Sequence, residues 1–147
     1  MDWYELDIPK PILKQEDVFR KDLLLPPENL EFAPKDLKRP WIAPFDKDNW
    51  IVVKDYSYRG IVIPAGFVFD GASIPWYLGM LYQKSDPQWI IAALVHDWLY
   101  FTQMYPRWVS DSFLEEVMLI QGNPSKRAKL FYGAVSLFGK GAYEDVE

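Results

Sequence analysis

The sequence contains no cysteine and one histidine. Without thiols there are no disulfides, thiolate zinc sites, iron-sulfur clusters or cysteine nucleophiles, and imidazole and oxygen donors are the only metal ligands left. No uninterrupted apolar run reaches the roughly 18 residues of a membrane-spanning helix, so no membrane insertion is expected. The start, Met1-Asp-Trp-Tyr-Glu5, is acidic where a secretory signal is basic and then apolar. The expected location is the cytoplasm, or a particle assembled there. Positive charge is also scarce: 16 Lys and Arg stand against 21 Asp and Glu, for a net charge of −5. The one tight basic cluster is Lys126, Arg127 and Lys129, so no stripe for a nucleic-acid backbone exists and no nucleic acid is expected as partner.

What is abundant is apolar and flat. Half of the 147 residues are hydrophobic and 17% are aromatic, including seven Trp, a composition that suits one compact domain with a sizeable core. Proline is unevenly placed. Seven of the twelve (Pro9, Pro11, Pro26, Pro27, Pro34, Pro40 and Pro44) fall in the first 44 residues, where they forbid any long helix. Residues 1–49 therefore read as an extended, Pro-rich arm. Trp3, Ile12, Phe19, Phe32 and Trp41 are too apolar for a solvated linker, so the arm is expected to pack on its own domain or on a protein partner.

From residue 50 the pattern changes to an α+β domain, 50–147. Trp50-Ile-Val-Val is β-branched and aromatic, Ser57-Tyr-Arg-Gly60 is a turn signal, and Ile61 to Phe69 returns as extended chain. This predicts a hairpin whose second arm is broken at Pro64 and Gly66. A cluster of three or four helices follows. Asp86-Pro87 caps a helix over about 87–103 with Ile91, Leu94, Val95 and Trp98 as its stripe. A second is expected over 108–121, ending at Gly122. A third, over 124–138, starts at Asn123-Pro124, buries Ala128, Phe131, Val135 and Phe138, and stops at a left-handed Gly139.

The chemistry-bearing residues centre on His96-Asp97, set in the apolar helical string Ala92-Ala-Leu-Val-His-Asp-Trp-Leu-Tyr100. Helical side chains lean toward the N-terminus, so these two project over Ala92 and Ala93, leaving a notch. The loop Phe69-Asp-Gly-Ala-Ser-Ile-Pro75 is the expected filler, its Asp70 supplying a second carboxylate. Asp111, four residues after Arg107, completes the set Asp70, His96, Asp97 and Asp111, oxygen-rich ligands suited to Zn²⁺, Mn²⁺, Mg²⁺ or Ca²⁺. The alternative is a polar buttress in which His96 donates to Asp70 or a backbone carbonyl and Asp70 caps a neighbouring helix or turn, fixing the loop. Ser73 lacks the G-x-S-x-G context of a nucleophile and is expected to cap a short helix begun by Ile74-Pro75. Glu115-Glu116 read as the solvated face of their helix, and the surrounding aromatics as core.

Five motifs in order, Ile63-Pro-Ala-Gly-Phe67, Phe69-Asp-Gly-Ala-Ser-Ile-Pro75, Ala92 to Tyr100, Asp111, and Phe131-Tyr-Gly-Ala-Val135 with Phe138-Gly139, span residues 50 to 143. Together they resemble the phage and bacterial family known as domain of unknown function thirteen fifty-three. The resemblance implies a setting in tailed phages and prophages and no established activity. The family's polar signature falls on Asp70, Ser73, His96, Asp97, Tyr100 and Asp111. Where the family carries a serine before the arginine of the third helix, this chain has Pro106 before Arg107. The arm lies outside the resemblance.

Two readings follow. In one, Asp70, His96, Asp97 and Asp111 hold a divalent ion whose bound water attacks cell-wall peptide or glycan, with His96, Asp97 and Asp70 catalytic and Ser73, Trp98 and Tyr100 at the binding surface. In the other, the chain is a structural or adaptor component of a virion, in the tail or as a head accessory. Its arm then binds phage structural proteins, and the polar cluster only braces the fold.

Overall fold

The computed structural model describes residues 8–70 and 90–144. Its order is α+β: five short strands, β1 (Ile42–Pro44), β2 (Trp50–Val52), β3 (Tyr56–Tyr58), β4 (Ile61–Ile63) and β5 (Val68–Phe69), precede four helices. These are α1 (Ile90–Thr102), α2 (Arg107–Ile120), α3 (Ser125–Phe138) and the short α4 (Lys140–Glu144). Asp86-Pro87, the cap expected for α1, lies outside the described residues.

The strands form one bent hairpin. β3 and β4 pair antiparallel around Arg59 and Gly60, both at positive φ as a two-residue primed turn requires. The same register continues to β2 and β5, where Ile51 faces Val68 and Trp50 faces Phe69. Between the two ladders the arms have equal lengths, so the bend inserts no net residue. It occurs where Pro64 cannot donate. Asp55 spans it, its Oδ1 accepting from the Ala65 amide and its Oδ2 from Arg20, each at 2.8 Å. Burial works to raise the Asp55 pKa, but these two partners outweigh it and hold the carboxyl below its usual range. β1 adds antiparallel to β2, joined by a turn in which Asp46 Oδ1 accepts from the amides of Asp48 and Asn49.

The arm is stitched to this frame at a few points. Ile12 forms a parallel bridge with Phe67, its amide donating to the Gly66 carbonyl at 2.7 Å. Gly66 sits at φ +102, and a Cβ there would collide with the Lys10 carbonyl. A side chain at that position would push the arm off the sheet. Two 3₁₀ turns follow, Gln15–Asp17 and Lys21–Leu24. The Gln15 amide reaches the Phe101 carbonyl at the end of α1, at 2.6 Å. Ile12 and Val18 are buried in the core, while Phe19 and Phe32 are 97% and 95% exposed.

The expected stripe of α1, Ile91, Leu94, Val95 and Trp98, is buried, as are Phe113, Leu114, Val117 and Met118 of α2, with Ile120 half-buried beside them. Gly122 closes α2 at φ +94, with the Gly122 amide on the Leu119 carbonyl and the Asn123 amide on Met118. The helix α3 starts after Pro124, where the Asn123 side-chain amide donates to the Met118 carbonyl at 2.9 Å and its Oδ1 accepts from Arg127 at 3.3 Å. Two details of α3 differ from the sequence reading. Phe138 is exposed rather than core. Gly139 is right-handed, at φ −80, and the chain continues into α4. It is small because a Cβ there would lie 2.6 Å from the Tyr100 hydroxyl. Among the described residues no helix is long and apolar enough to cross a membrane.

Candidate functional site: a buried His–Asp–Tyr knot

His96 and Tyr100 lie four residues apart on α1, so they share one face, and their rings are 4.2 Å apart. That face looks onto the first turns of α2, where Asp111 receives both. His96 Nε2 stands 2.9 Å from Asp111 Oδ1, and the Tyr100 hydroxyl donates to the same oxygen at 2.6 Å. With Asp111 as carboxylate, Nε2 carries the proton and one oxygen accepts two hydrogen bonds. His96, Asp111 and Tyr100 are 0%, 1% and 2% exposed. Burial, then the hydrogen bond to Asp111 and its negative charge, push the Tyr100 pKa far up, opposed by the nearby Arg107 guanidinium.

Further contacts tie the knot to the other helices. Arg107, one turn before Asp111, also donates to the Val135 carbonyl of α3 at 3.3 Å. Tyr143 of α4 meets Tyr100 edge-on at 5.3 Å, and its hydroxyl donates to the Tyr105 carbonyl at 3.1 Å. Gln103 donates in turn to the Tyr143 carbonyl. Gly139 leaves the room that the Tyr100 hydroxyl fills. Among the described residues, the four α-helices thus meet around one tyrosine.

Of the four expected ligands, His96 and Asp111 are in direct contact. Asp70, after β5, and Asp97, beside His96, are both half-buried. Among the described residues no group of three His, Asp or Glu side chains stands close enough to hold a metal ion. The four therefore do not assemble as one ligand set. Ser73, and the rest of the loop after Asp70 that was to fill the notch, lie outside the described residues. Trp98 is fully buried, edge-on to Phe67 at 5.0 Å and stacked on Phe101 at 5.5 Å. It is a core side chain rather than a binding surface.

A second polar cluster went unforeseen. Glu116 does not point to solvent. It accepts from the Tyr58 hydroxyl and takes both carboxylate oxygens to Arg59 Nη1, at 3.0 and 3.1 Å. Arg59 and Glu116 are 20% and 32% exposed. Burial, and the bond to Glu116, push the Tyr58 pKa far up. Arg59 Nε donates to the Glu31 carbonyl at 2.7 Å, so the hairpin tip is clamped between α2 and the arm. The readable signal was Arg59-Gly60: a long cation at a hairpin tip reaches whatever helix covers the sheet.

The sequence model of the family described as a protein of unknown function, DUF1353, matches residues 47–135. That span is more than half of the chain, and the chain belongs to this family. No curated protein and no solved structure matches it. The matched span holds the bent hairpin, α1 and α2 and most of α3, and with them His96, Tyr100 and Asp111.

Proposed function

We propose that the chain is a structural or adaptor component of a phage virion, in which the His96–Asp111–Tyr100 knot braces the helices and the arm carries the contacts to other proteins. The observation that carries this reading is the burial of all three knot residues to 2% exposure or less. A His–Asp pair serves catalysis when it activates a group on a substrate or a water that can reach it. Here the acceptor oxygen that would tune the imidazole is shared with Tyr100, and the group is enclosed by the ends of four helices. The arm supplies the second support. Burying a Phe is worth about 1.5–3 kcal/mol, yet Phe19 and Phe32 stand almost wholly in water on a proline-stiffened segment. The phage setting is the one the family resemblance implies.

Deleting residues 1–44 is a poor test, because Ile12 and Val18 are core and β1 would be lost. The better variant is the full chain with Phe19→Ser, Phe32→Ser and Trp41→Ser. It should melt like the parent and fail to co-sediment with assembled particles that retain the tagged parent. Co-sedimentation unchanged by the triple variant would sink the adaptor reading. Stoichiometric metal in the purified chain, with a melting point lowered by chelator, would overturn the brace and restore the hydrolase.

A further inference from the structure

The edge of β3 that faces away from β4 is covered by the arm at both ends and open in the middle. In the register of the hairpin, Tyr56 and Tyr58 exchange hydrogen bonds with β4, and the backbone groups of Val53, Asp55, Ser57 and Arg59 point outward. The arm takes the outer two: Glu31 N donates to the Arg59 carbonyl at 2.9 Å, and Val53 N donates to the Trp41 carbonyl at 2.8 Å. Between these anchors the arm has more residues than the edge it runs along, so it bulges outward, stiffened by Pro34 and Pro40. Tyr56 Oη, donating to the Lys38 carbonyl at 2.7 Å, pins the bulge. The outward amides and carbonyls of Asp55 and Ser57 make no hydrogen bond to another described residue.

Beneath the bulge is a cavity of about 590 Å³, within the range of ordinary ligand sites. Its lining carries Lys38, Arg39, Lys54 and Arg59 against Glu31, Asp36 and Asp55. Asp55 is already paired with Arg20 and Arg59 with Glu116, which leaves Lys38, Arg39 and Lys54 against Glu31 and Asp36, a groove one charge positive on a protein of net charge −5. Trp41, 62% exposed, forms one wall, with the Lys54 ammonium 4.1 Å from its ring centre.

We infer that this groove takes an extended acidic segment of a protein partner, which adds as a short strand to the Asp55–Ser57 edge of β3 with its carboxylates on the surrounding Lys and Arg side chains. An unsatisfied strand edge recognises backbone, and the flanking charges select sequence. The inference rests on the adaptor reading, since it supplies the chemistry of the partner the arm was said to meet.

The test uses the full chain and short blocked peptides labelled for fluorescence anisotropy. A peptide alternating glutamate and valine should bind saturably, while its lysine and valine counterpart should not. N-methylation of the valine amides, which leaves charge unchanged and removes the strand donors, should abolish binding. Lys54→Glu should weaken the acidic peptide roughly tenfold or more and reduce its salt dependence, as reversing a rim charge does. Ser57→Pro, an edge substitution removing one outward amide, should weaken it further. Equal binding of the acidic and basic peptides, equal binding of the N-methylated peptide, or no binding at all would each overturn the inference. Particle co-sedimentation of the Lys54→Glu chain separates the two failures. If the peptides do not bind and the Lys54→Glu chain still co-sediments while the triple arm variant leaves particles, this groove is wrong and the adaptor reading stands.

Discussion

Two tyrosine–carboxylate pairs hang from α2 little more than a turn apart, and they differ chiefly in how much water reaches them. Asp111 meets Tyr100 and His96 in the interior, at 0 to 2% exposure. Glu116 meets Tyr58 and Arg59 at the rim, at 20 to 32% exposure for the ion pair. Similar chemistry therefore carries different stakes. In the interior, removing one member strands the others without solvent, and the desolvation already incurred on folding is no longer offset. At the rim, Tyr58 is as buried as Tyr100, but the Arg59 guanidinium can turn to water when its partner is lost. The first cluster decides whether the helices dock; the second decides how the hairpin tip sits.

That contrast can be broken by substitution. Asp111→Ala should have the largest effect, about 3–5 kcal/mol, because it takes a shared acceptor from a buried imidazole and a buried hydroxyl. Thermal and denaturant unfolding should both show the loss, and chelator should change neither parent nor variant. Asp111→Asn, which keeps an acceptor for Tyr100, should cost less. Gly139→Ala drives a methyl group onto the Tyr100 hydroxyl and should cost about 1–3 kcal/mol through overpacking. Glu116→Ala should cost only about 1 kcal/mol, as a part-exposed pair with one hydrogen-bonded tyrosine. If Glu116→Ala proved as damaging as Asp111→Ala, the distinction drawn from burial would fail.

Alkaline pH sharpens the comparison in another way. Unfolded tyrosine ionises near pH 10, whereas folded Tyr58 and Tyr100 hold their protons to higher pH. Their folded pKa values are raised, so the stability they contribute is fully present below about pH 10 and is lost as pH climbs beyond it. Tyr100→Phe and Tyr58→Phe should each flatten that loss in melting curves taken across the alkaline range. The smallest effect expected is that of Phe32→Ser, within about 0.5 kcal/mol of the parent, since the ring already lies in water.

Half of the interior pair was legible in the chain, because a histidine inside an apolar helix needs a partner; Asp111 stood beside it only as a fellow metal ligand, and the direct bond between them was not expected. The alanines at 92 and 93 are both buried, and the loop expected to fill the notch above them lies, after Asp70, outside the described residues. What the residues did not reveal was that Tyr100 would share the same oxygen, since hydroxyl partners carry no spacing rule across two helices. The rim pair was misread for a related reason. Adjacent glutamates on an amphipathic helix are ordinarily solvated, and only the hairpin tip, brought there by tertiary packing, makes Glu116 different from Glu115. The hairpin was readable from its turn and its proline, whereas the pairing of β1 depended on Asp46 closing a turn that propensity alone does not single out. The left-handed stop expected at Gly139 failed because two quite different needs, a turn and a close approach, select the same residue.

The bridge between Ile12 and Phe67 also sets a schedule for biosynthesis. The arm leaves the ribosome first, but its seat on the sheet emerges 55 residues later and its anchor at Phe101 later still. At about 5–20 residues per second the arm waits on the order of several seconds with Ile12, Val18 and Phe19 unprotected. Its sequence is suited to that interval: Lys10 and Lys14, Glu16 and Asp17, then Arg20, Lys21 and Asp22 set charges of both signs around the apolar positions, and prolines flank them, the pattern that keeps a nascent segment from pairing with its neighbours on a polysome.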